Sequence, residues 1–148
     1  MEEQLITNQK IGLVAMNNYE MYVSLELAMM LKEAGFDWEI KTFYFMGELG
    51  ETMLGEAKNH NFSNDFVSAP TLAVAQKWMR EVMGVNVEVM YLFKPCNYYF
   101  ARACHLEDDS VLRIKDCRSF VYERALEAGI IAALKEEMWL RKQKQEEK

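Results

Sequence analysis

The chain has 148 residues, of which 51% are hydrophobic and 27% charged, and a formal net charge of -6 at pH 7. This composition excludes wholesale disorder, and the length suits one ordinary domain rather than two. The acidic balance argues against a general nucleic-acid binder, because phosphate binding needs clustered lysine and arginine. We predict an N-terminal segment of uncertain structure over residues 1–21, a single α+β domain over 22–140 and a charged helix end or tail over 141–148.

The start of the chain and its cysteines predict a soluble, cytoplasmic protein. Acidic and polar residues follow Met1, so we expect no signal peptide, and no stretch approaches the roughly 18 apolar residues of a membrane span. The three cysteines have no C-x-x-C spacing and fit reduced thiols. Cys104 and His105 are adjacent and would point to opposite faces of a strand, so we expect no metal site and no cofactor.

A helix, a strand and a long loop are predicted before residue 70. Ser24 is a good N-cap and Gly35 can adopt the left-handed conformation, so a helix is expected between them. Aromatic and β-branched residues over 36–45 favour a strand. The segment 47–68 is rich in glycine and asparagine and is predicted to be a mobile surface loop, with a short hairpin or helical turn near Glu51–Ala57 as the alternative.

A second helix and an antiparallel meander follow. Thr71 can cap a helix that ends at Gly84. Residues 85–93 begin with strict apolar–polar alternation, and 98–106 and 111–115 form the next two candidate strands. Because short turns join these three segments, we expect neighbouring strands to pair antiparallel.

The last helix is predicted to begin near Ser119, with Ser119 or Asp116 as its N-cap, and to run toward the charged end. Within it, Ala128-Gly129 offers a point where another backbone can approach closely. Helices cannot bury their apolar stripes alone, so we expect them to cover a sheet. The predicted fold class is α+β, a three- to four-stranded, mainly antiparallel sheet with about three helices packed on one face.

No motif in the sequence identifies a catalytic chemistry. There is no G-x-S-x-G nucleophile motif, and His105 lies in a predicted strand where it would face a neighbour or solvent. His60 lies in the predicted loop, where surface polarity explains it. Cys117, with Arg118 beside it, is the one mildly suggestive thiol, but a structural role is favoured. The run Glu107–Asp109 is interpreted as a solvated turn, so we expect no catalytic residue.

Three segments resemble small uncharacterised proteins encoded by phages and prophages of gut bacteria. The most specific is Ser68-Ala69-Pro70-Thr71-Leu72-Ala73-Val74-Ala75-Gln76-Lys77-Trp78-Met79-Arg80-Glu81. The others are Tyr22–Ala28 with Leu31–Trp38, and Ser119-Phe120 with Ala125 and Ile131–Leu134. The resemblance covers roughly residues 22–137. It implies a mobile genetic element inside a bacterial cell and brings no activity or catalytic residue with it.

The leading hypothesis is a non-catalytic phage- or prophage-type accessory protein that binds another protein, either a host protein or itself. A host defence or regulatory protein is one candidate target. Eleven methionines support this hypothesis, because methionine is favoured at adaptable binding surfaces as well as in irregular cores. The candidate interfaces are residues 11–21, the segment 47–68 and the end of the last helix.

Two further hypotheses stay open. The first is a small-molecule or nucleotide binder, with an enzymatic role as an option, whose pocket lies between the helix 71–83 and an aromatic hairpin. The second is a weak single-stranded nucleic-acid binder, in which exposed rings stack on bases beside a thin basic surround of Lys94 and Arg102. The candidate binding residues are Trp78, Arg80, Tyr91, Phe93, Tyr99, Arg102 and His105.

Overall fold

The computed structural model describes residues 21–47 and 52–148. The chain divides into two compact units, Met1–Val74 and Ala75–Lys148. Each unit contains a three-stranded antiparallel sheet, which confirms the α+β class; the strands are divided between two sheets where one was predicted. That residues 22–140 fold as a single domain stays a prediction. The N-terminal segment 1–21 lies outside the described residues except for Met21.

The first helix, α1 (Leu25–Glu33), has the ends that its sequence predicts. The Ser24 hydroxyl accepts a hydrogen bond from the backbone N–H of Leu27 at 3.3 Å, which satisfies one donor of the first turn. Gly35 follows the helix with a φ of +96°, a conformation that a side chain would strain. The buried face of α1 consists of Leu27, Ala28 and Leu31.

The first unit's sheet has the order β2-β1-β3. Its strands are β1 (Ile40–Phe45), β2 (Thr52–Lys58) and β3 (Phe66–Ser68). The prediction of a mobile surface loop over 47–68 is therefore wrong for the described part, 52–68. Residues of β2 are largely exposed, so no alternation of buried side chains marks this strand in the sequence, and pairing with β1 decides its structure.

Side-chain contacts stabilise the connection between β2 and β3. His60 is buried and stacks on Phe43 at 4.2 Å between ring centroids, so the expectation of a surface histidine is wrong. Its Nε2 lies 2.9 Å from the carbonyl oxygen of Ile40 and 3.1 Å from that of Glu56. Both partners can only accept, so Nε2 carries the hydrogen.

Lys32 of α1 donates from Nζ to the carbonyl oxygens of Ser63 at 2.6 Å and Phe66 at 2.8 Å. We expect Lys32→Met to lower the free energy of unfolding by about 1–2 kcal/mol, because two carbonyls lose a charged donor. Urea unfolding measures this loss, and limited proteolysis should cut residues 59–66 faster in the variant. Lys41→Met, at an exposed position of β1, is the control. Equal effects of both changes would show that the two hydrogen bonds of Lys32 do not stabilise this connection.

The second helix, α2 (Leu72–Trp78), continues as a π-helical segment over Met79–Met83. Thr71 Oγ1 accepts from the N–H of Val74 at 3.2 Å. Gly84 ends the segment with a φ of +69°. The predicted helix between Thr71 and Gly84 is therefore confirmed.

The second unit's sheet has the order β4-β5-β6. The hairpin of β4 (Val85–Leu92) and β5 (Tyr98–His105) matches the prediction and pairs in register from Val85 opposite His105 to Leu92 opposite Tyr98.

The third strand of this sheet is β6 (Arg118–Ser119), so its predicted place at 111–115 is wrong. That segment makes a single bridge, between Val111 and Cys104. The N–H of Ile114 then bonds to the carbonyl oxygen of Leu112, only two residues earlier, at 3.1 Å. This tight turn ends the pairing before a ladder can form.

Helix α3 (Tyr122–Glu146) packs across β4, β5 and β6. It begins after Val121, so the predicted N-cap at Ser119 or Asp116 is wrong. Ser119 belongs to β6, and its hydroxyl accepts from the N–H of Val121 at 3.0 Å instead. The predicted close approach at Gly129 is confirmed, because a Cβ there would overlap the side chain of Ala101 on β5.

Candidate functional site

A cluster of aromatic side chains lies at the turn end of the β4–β5 hairpin. The ring of Tyr91 contacts those of Phe93 and Tyr99, with centroids 5.4 and 5.0 Å apart. Tyr99 in turn contacts Tyr122, the first residue of α3, at 5.7 Å. We call this surface the aromatic hairpin end, and it comprises Tyr91, Leu92, Phe93, Tyr98, Tyr99, Phe120 and Tyr122.

The length of the hairpin explains why these rings are exposed. Val85 and Val87 are fully buried, whereas β4 becomes exposed from Met90 onward. Because α3 begins only at Tyr122, it does not extend over the hairpin turn. Phe93 is 79% exposed and Phe120 is 80% exposed, large fractions for phenylalanine.

Basic side chains border the aromatic hairpin end. Lys94 lies in its turn, and Lys115 and Arg118 line a shallow groove together with Leu92. The guanidinium of Arg118 lies 5.8 Å from the centre of the Tyr98 ring, within cation–π range. Asp116 is the one acidic residue among those that line the groove. This border contrasts with the chain's net charge of -6.

The structure divides the predicted binding residues into separate groups. Tyr91, Phe93 and Tyr99 come together, but Arg102 lies between the two ends of the hairpin and forms an ion pair with Glu88. His105 lies at the opposite, open end of the ladder. Trp78 is fully buried in the core and Arg80 is half-buried in the π-helical segment.

The open end of the hairpin carries a hydrogen-bonded network centred on His105. Its Nε2 lies 2.7 Å from Oε2 of Glu137, and its Nδ1 lies 2.9 Å from Oγ of Ser110. Arg141 donates from Nε to Oε1 of Glu137 at 2.9 Å and from its guanidinium to the carbonyl oxygen of Met83 at 3.2 Å. The network therefore joins β5, the following turn and α3.

Hydrogen bonds keep two carboxylates ionised here, Glu137 of the network and Asp108, which accepts from the N–H of Ser110. Glu137 is only 7% exposed; burial by itself raises its pKa, but hydrogen bonds from His105 and Arg141 reverse the shift, so the pKa lies below its ordinary value. Hydrogen bonds from the Ser110 side chain and backbone lower the pKa of Asp108.

A cavity of about 630 Å³ opens beside this network. Apolar side chains of Leu112 and Leu140 and the basic side chains of Arg113 and Lys144 are among its lining residues. Its volume falls within the range of small-ligand sites.

Sequence analysis singled out His105 but missed Ser110, Glu137 and Arg141. The detectable signal was the spacing of Ile130, Leu134 and Glu137, which puts a carboxylate in line with the buried face of α3.

Cys117 is a structural thiol in this fold. Burial raises its pKa, and the charge of Asp116 raises it further. The thiol hydrogen-bonds the carbonyl oxygens of Lys115 and Ala128, at 3.3 and 3.5 Å. Because a thiolate is the reactive form, this environment opposes nucleophilic chemistry.

Within residues 21–47 and 52–148, no group of three or more histidine, cysteine or acidic side chains could hold a metal ion. In the same part of the chain, none of the helices has the length and apolar character needed to cross a bilayer. No protein-family model, curated protein or solved structure matches the chain. The resemblance to phage-encoded proteins stays a prediction.

Proposed function

We propose that the protein acts by binding another protein through the aromatic hairpin end. The observation that carries this proposal is the concentration of exposed rings at one end of the second unit. The rings of Phe93, Tyr91, Tyr99 and Tyr122 contact one another in sequence, and a contiguous exposed apolar patch often marks a binding site. Tyrosine and phenylalanine are also enriched in the buried centre of protein interfaces.

Contacts within the patch lower the cost of binding. Tyr91 is held between Phe93 and Tyr99, and Tyr99 is held against Tyr122. Rings that are already packed on one another lose little conformational entropy when a partner covers them. The patch is therefore suited to anchor a rigid complex.

The bordering charges indicate the chemistry of the partner. Lys94, Lys115 and Arg118 are exposed, so the complementary surface is an apolar pocket with an acidic rim. A two-fold dimer through the same patch would bring these basic groups toward their own copies, which is unfavourable. A different protein is therefore favoured over a second copy of this chain.

The biological setting of this proposal rests on the resemblance to phage and prophage proteins, which favours a bacterial host protein as the partner. Two other predicted interfaces, the segment 47–68 and the end of the last helix, stay predictions. Each carries an exposed aromatic side chain, Phe62 in the first and Trp139 in the second.

A capture experiment with matched variants tests the proposal. Tagged wild-type protein and the variants Phe93→Ala and Phe120→Ala are incubated with nuclease-treated lysate of a bacterial host. The control is Phe62→Ala, which removes a 92% exposed ring outside the patch. We expect the wild type and the control to retain one partner protein. Each patch variant should bind that purified partner about 30-fold more weakly, because it loses an anchoring side chain worth about 2 kcal/mol.

Three results would overturn the proposal. The first is a partner that binds both patch variants as tightly as the wild type. The second is a concentration-dependent dimer of the purified chain that Phe93→Ala dissociates, because it would make a second copy the occupant. The third is salt-sensitive binding to a single-stranded oligonucleotide that the patch variants abolish, which would favour nucleic acid.

A further inference from the structure

We propose that Ser110, His105 and Glu137 form a nucleophile–base–acid relay that hydrolyses esters of small acyl groups. The relay lies at the open end of the β4–β5 hairpin, roughly 20 Å from the aromatic hairpin end, since about seven residues of a strand span that length. The proposed hydrolysis does not depend on the proposed protein binding. The sequence predicts no catalytic residue, and only the fold brings these three side chains together.

The turn after β5 holds the nucleophile against its base. The N–H of His105 bonds to the carbonyl oxygen of Ser110 at 2.8 Å, and the N–H of Asp109 bonds back to the carbonyl oxygen of His105 at 3.0 Å. Asp108 Oδ1 accepts from the N–H of Ser110 at 3.0 Å. These bonds hold the exposed Ser110 hydroxyl 2.9 Å from Nδ1 of His105, the separation that a hydroxyl nucleophile needs from its base.

The donors and acceptors that each group can offer determine which nitrogen of His105 carries a hydrogen. Arg141 holds Glu137 ionised, so Glu137 can only accept, and Nε2 of His105 must carry the hydrogen of the 2.7 Å bond. In the neutral ring Nδ1 is then an acceptor, to which the Ser110 hydroxyl can donate in place of its bond to Asp108. In the protonated ring Nδ1 donates, and the hydroxyl turns to Asp108. Loss of the ring's proton therefore makes Nδ1 available as the base for Ser110.

The resulting chemistry balances without a cofactor. Ser110 Oγ attacks the ester carbonyl carbon while its proton passes to Nδ1, and the imidazolium returns that proton to the leaving alcohol as the acyl–oxygen bond breaks. The acyl group is now bonded to Ser110. A water molecule then attacks the acyl carbon, giving its proton to Nδ1, and the proton returns to Ser110 as the carboxylic acid leaves. The net reaction is ester plus water to acid plus alcohol.

The adjoining cavity of about 630 Å³ has room for the acyl group of an ester. Leu112 and Leu140 give it an apolar wall, on which a short alkyl chain would pack. Arg113 and Lys144 line the same cavity, as do the acidic side chains of Glu107 and Glu136. A cation that reaches the acyl oxygen would stabilise the oxyanion that forms during attack. Glu137 acts through His105 and is a positioning residue, whereas Ser110 and His105 are the catalytic residues.

Hydrolysis of p-nitrophenyl butyrate by the purified full chain tests the relay. We expect turnover by the wild type and a fluorophosphonate adduct on the peptide that contains Ser110. Ser110→Ala should lower kcat/KM about 100-fold or more and remove the adduct. Glu137→Gln should lower kcat, leave KM nearly unchanged and alter the pH profile, as expected for a positioning role.

Ser63→Ala is the control, because it removes the hydroxyl of a serine at a bend outside the relay, one that accepts the backbone N–H of Asp65. It should keep the wild-type rate and the adduct. Because Ser110 is exposed, its alanine variant should fold, which near-UV circular dichroism checks. Equal hydrolysis by wild type and Ser110→Ala, an adduct on another residue, or no turnover by the wild type would overturn the proposal.

Discussion

Gly129→Ala is expected to destabilise the protein by about 2 kcal/mol, even though alanine favours a helix over glycine by about 1 kcal/mol. A Cβ at this position overlaps Cβ of Ala101 on β5 and lies 3.1 Å from Cγ1 of Val87 on β4. The sheet and α3 must therefore separate locally to admit it. Gly129→Val, with two further methyl groups, should lose about 3 kcal/mol or more. Chemical unfolding measures both losses.

A double-mutant cycle isolates the cause of this loss. Ala101→Gly removes the atom that a Cβ at Gly129 would meet. We expect the combined variant to be more stable than the sum of the two single losses predicts, by about 1 kcal/mol. Additive losses would place the effect elsewhere, and a Gly129→Ala protein more stable than the wild type would show that helix propensity outweighs packing here.

Glu137→Gln should lower the free energy of unfolding at pH 7 by about 2 kcal/mol. The carboxylate accepts charge-assisted bonds from His105 and Arg141 while almost fully buried, and an amide cannot accept on both sides. Hydrogen bonds to charged groups contribute about 1.5–3 kcal/mol each, and the partial exposure of Arg141 reduces its share.

Acid should remove the advantage of Glu137 over glutamine. Its pKa is lowered in the folded protein from the ordinary 4.5, so its contribution is fully present above pH 4.5 and is lost as the pH falls through the folded value. Unfolding curves of wild type and Glu137→Gln should therefore converge below pH 4.5. Glu136→Gln, its neighbour on α3, is the control and should change stability by less than about 0.5 kcal/mol. A gap that persists unchanged in strong acid would show that the carboxylate charge is not its cause.

Local chemistry made the first two helices and the hairpin predictable. The Ser24 cap and the left-handed Gly35 bound α1, and Thr71 and Gly84 bound the second helical segment. The hairpin was predictable because alternation along β4 reports a strand with one buried face. In each case the signal depends on residues close together in the chain.

Non-local pairing made other segments unpredictable. Strand β2 is largely exposed and contains Gly55, so its sequence favoured a loop and left a short hairpin or helical turn near Glu51–Ala57 only as the alternative. Val111 to Lys115 alternates like a strand, yet β6 takes the third place in the sheet. Which segment pairs depends on contacts far along the chain, and a short window does not contain them.

The two candidate sites also differ in how far the sequence predicts them. The aromatic residues of the hairpin were identifiable from the sequence, because a tight turn brings Tyr91 and Tyr99 together. The network around His105 was not, because Glu137 lies 32 residues away and meets it only when α3 packs across the sheet.

The sequence by itself determined the α+β class, the limits of two helices and the two strands of one hairpin. These features follow from caps, glycines and side-chain periodicity, whose energies act over a few residues. The tertiary structure alone decided that Thr52–Lys58 is a strand, that Trp78 is buried and that Ser110, His105 and Glu137 share one cavity. Packing and hydrogen bonding between distant segments fix those features, so they exist only once the chain has folded.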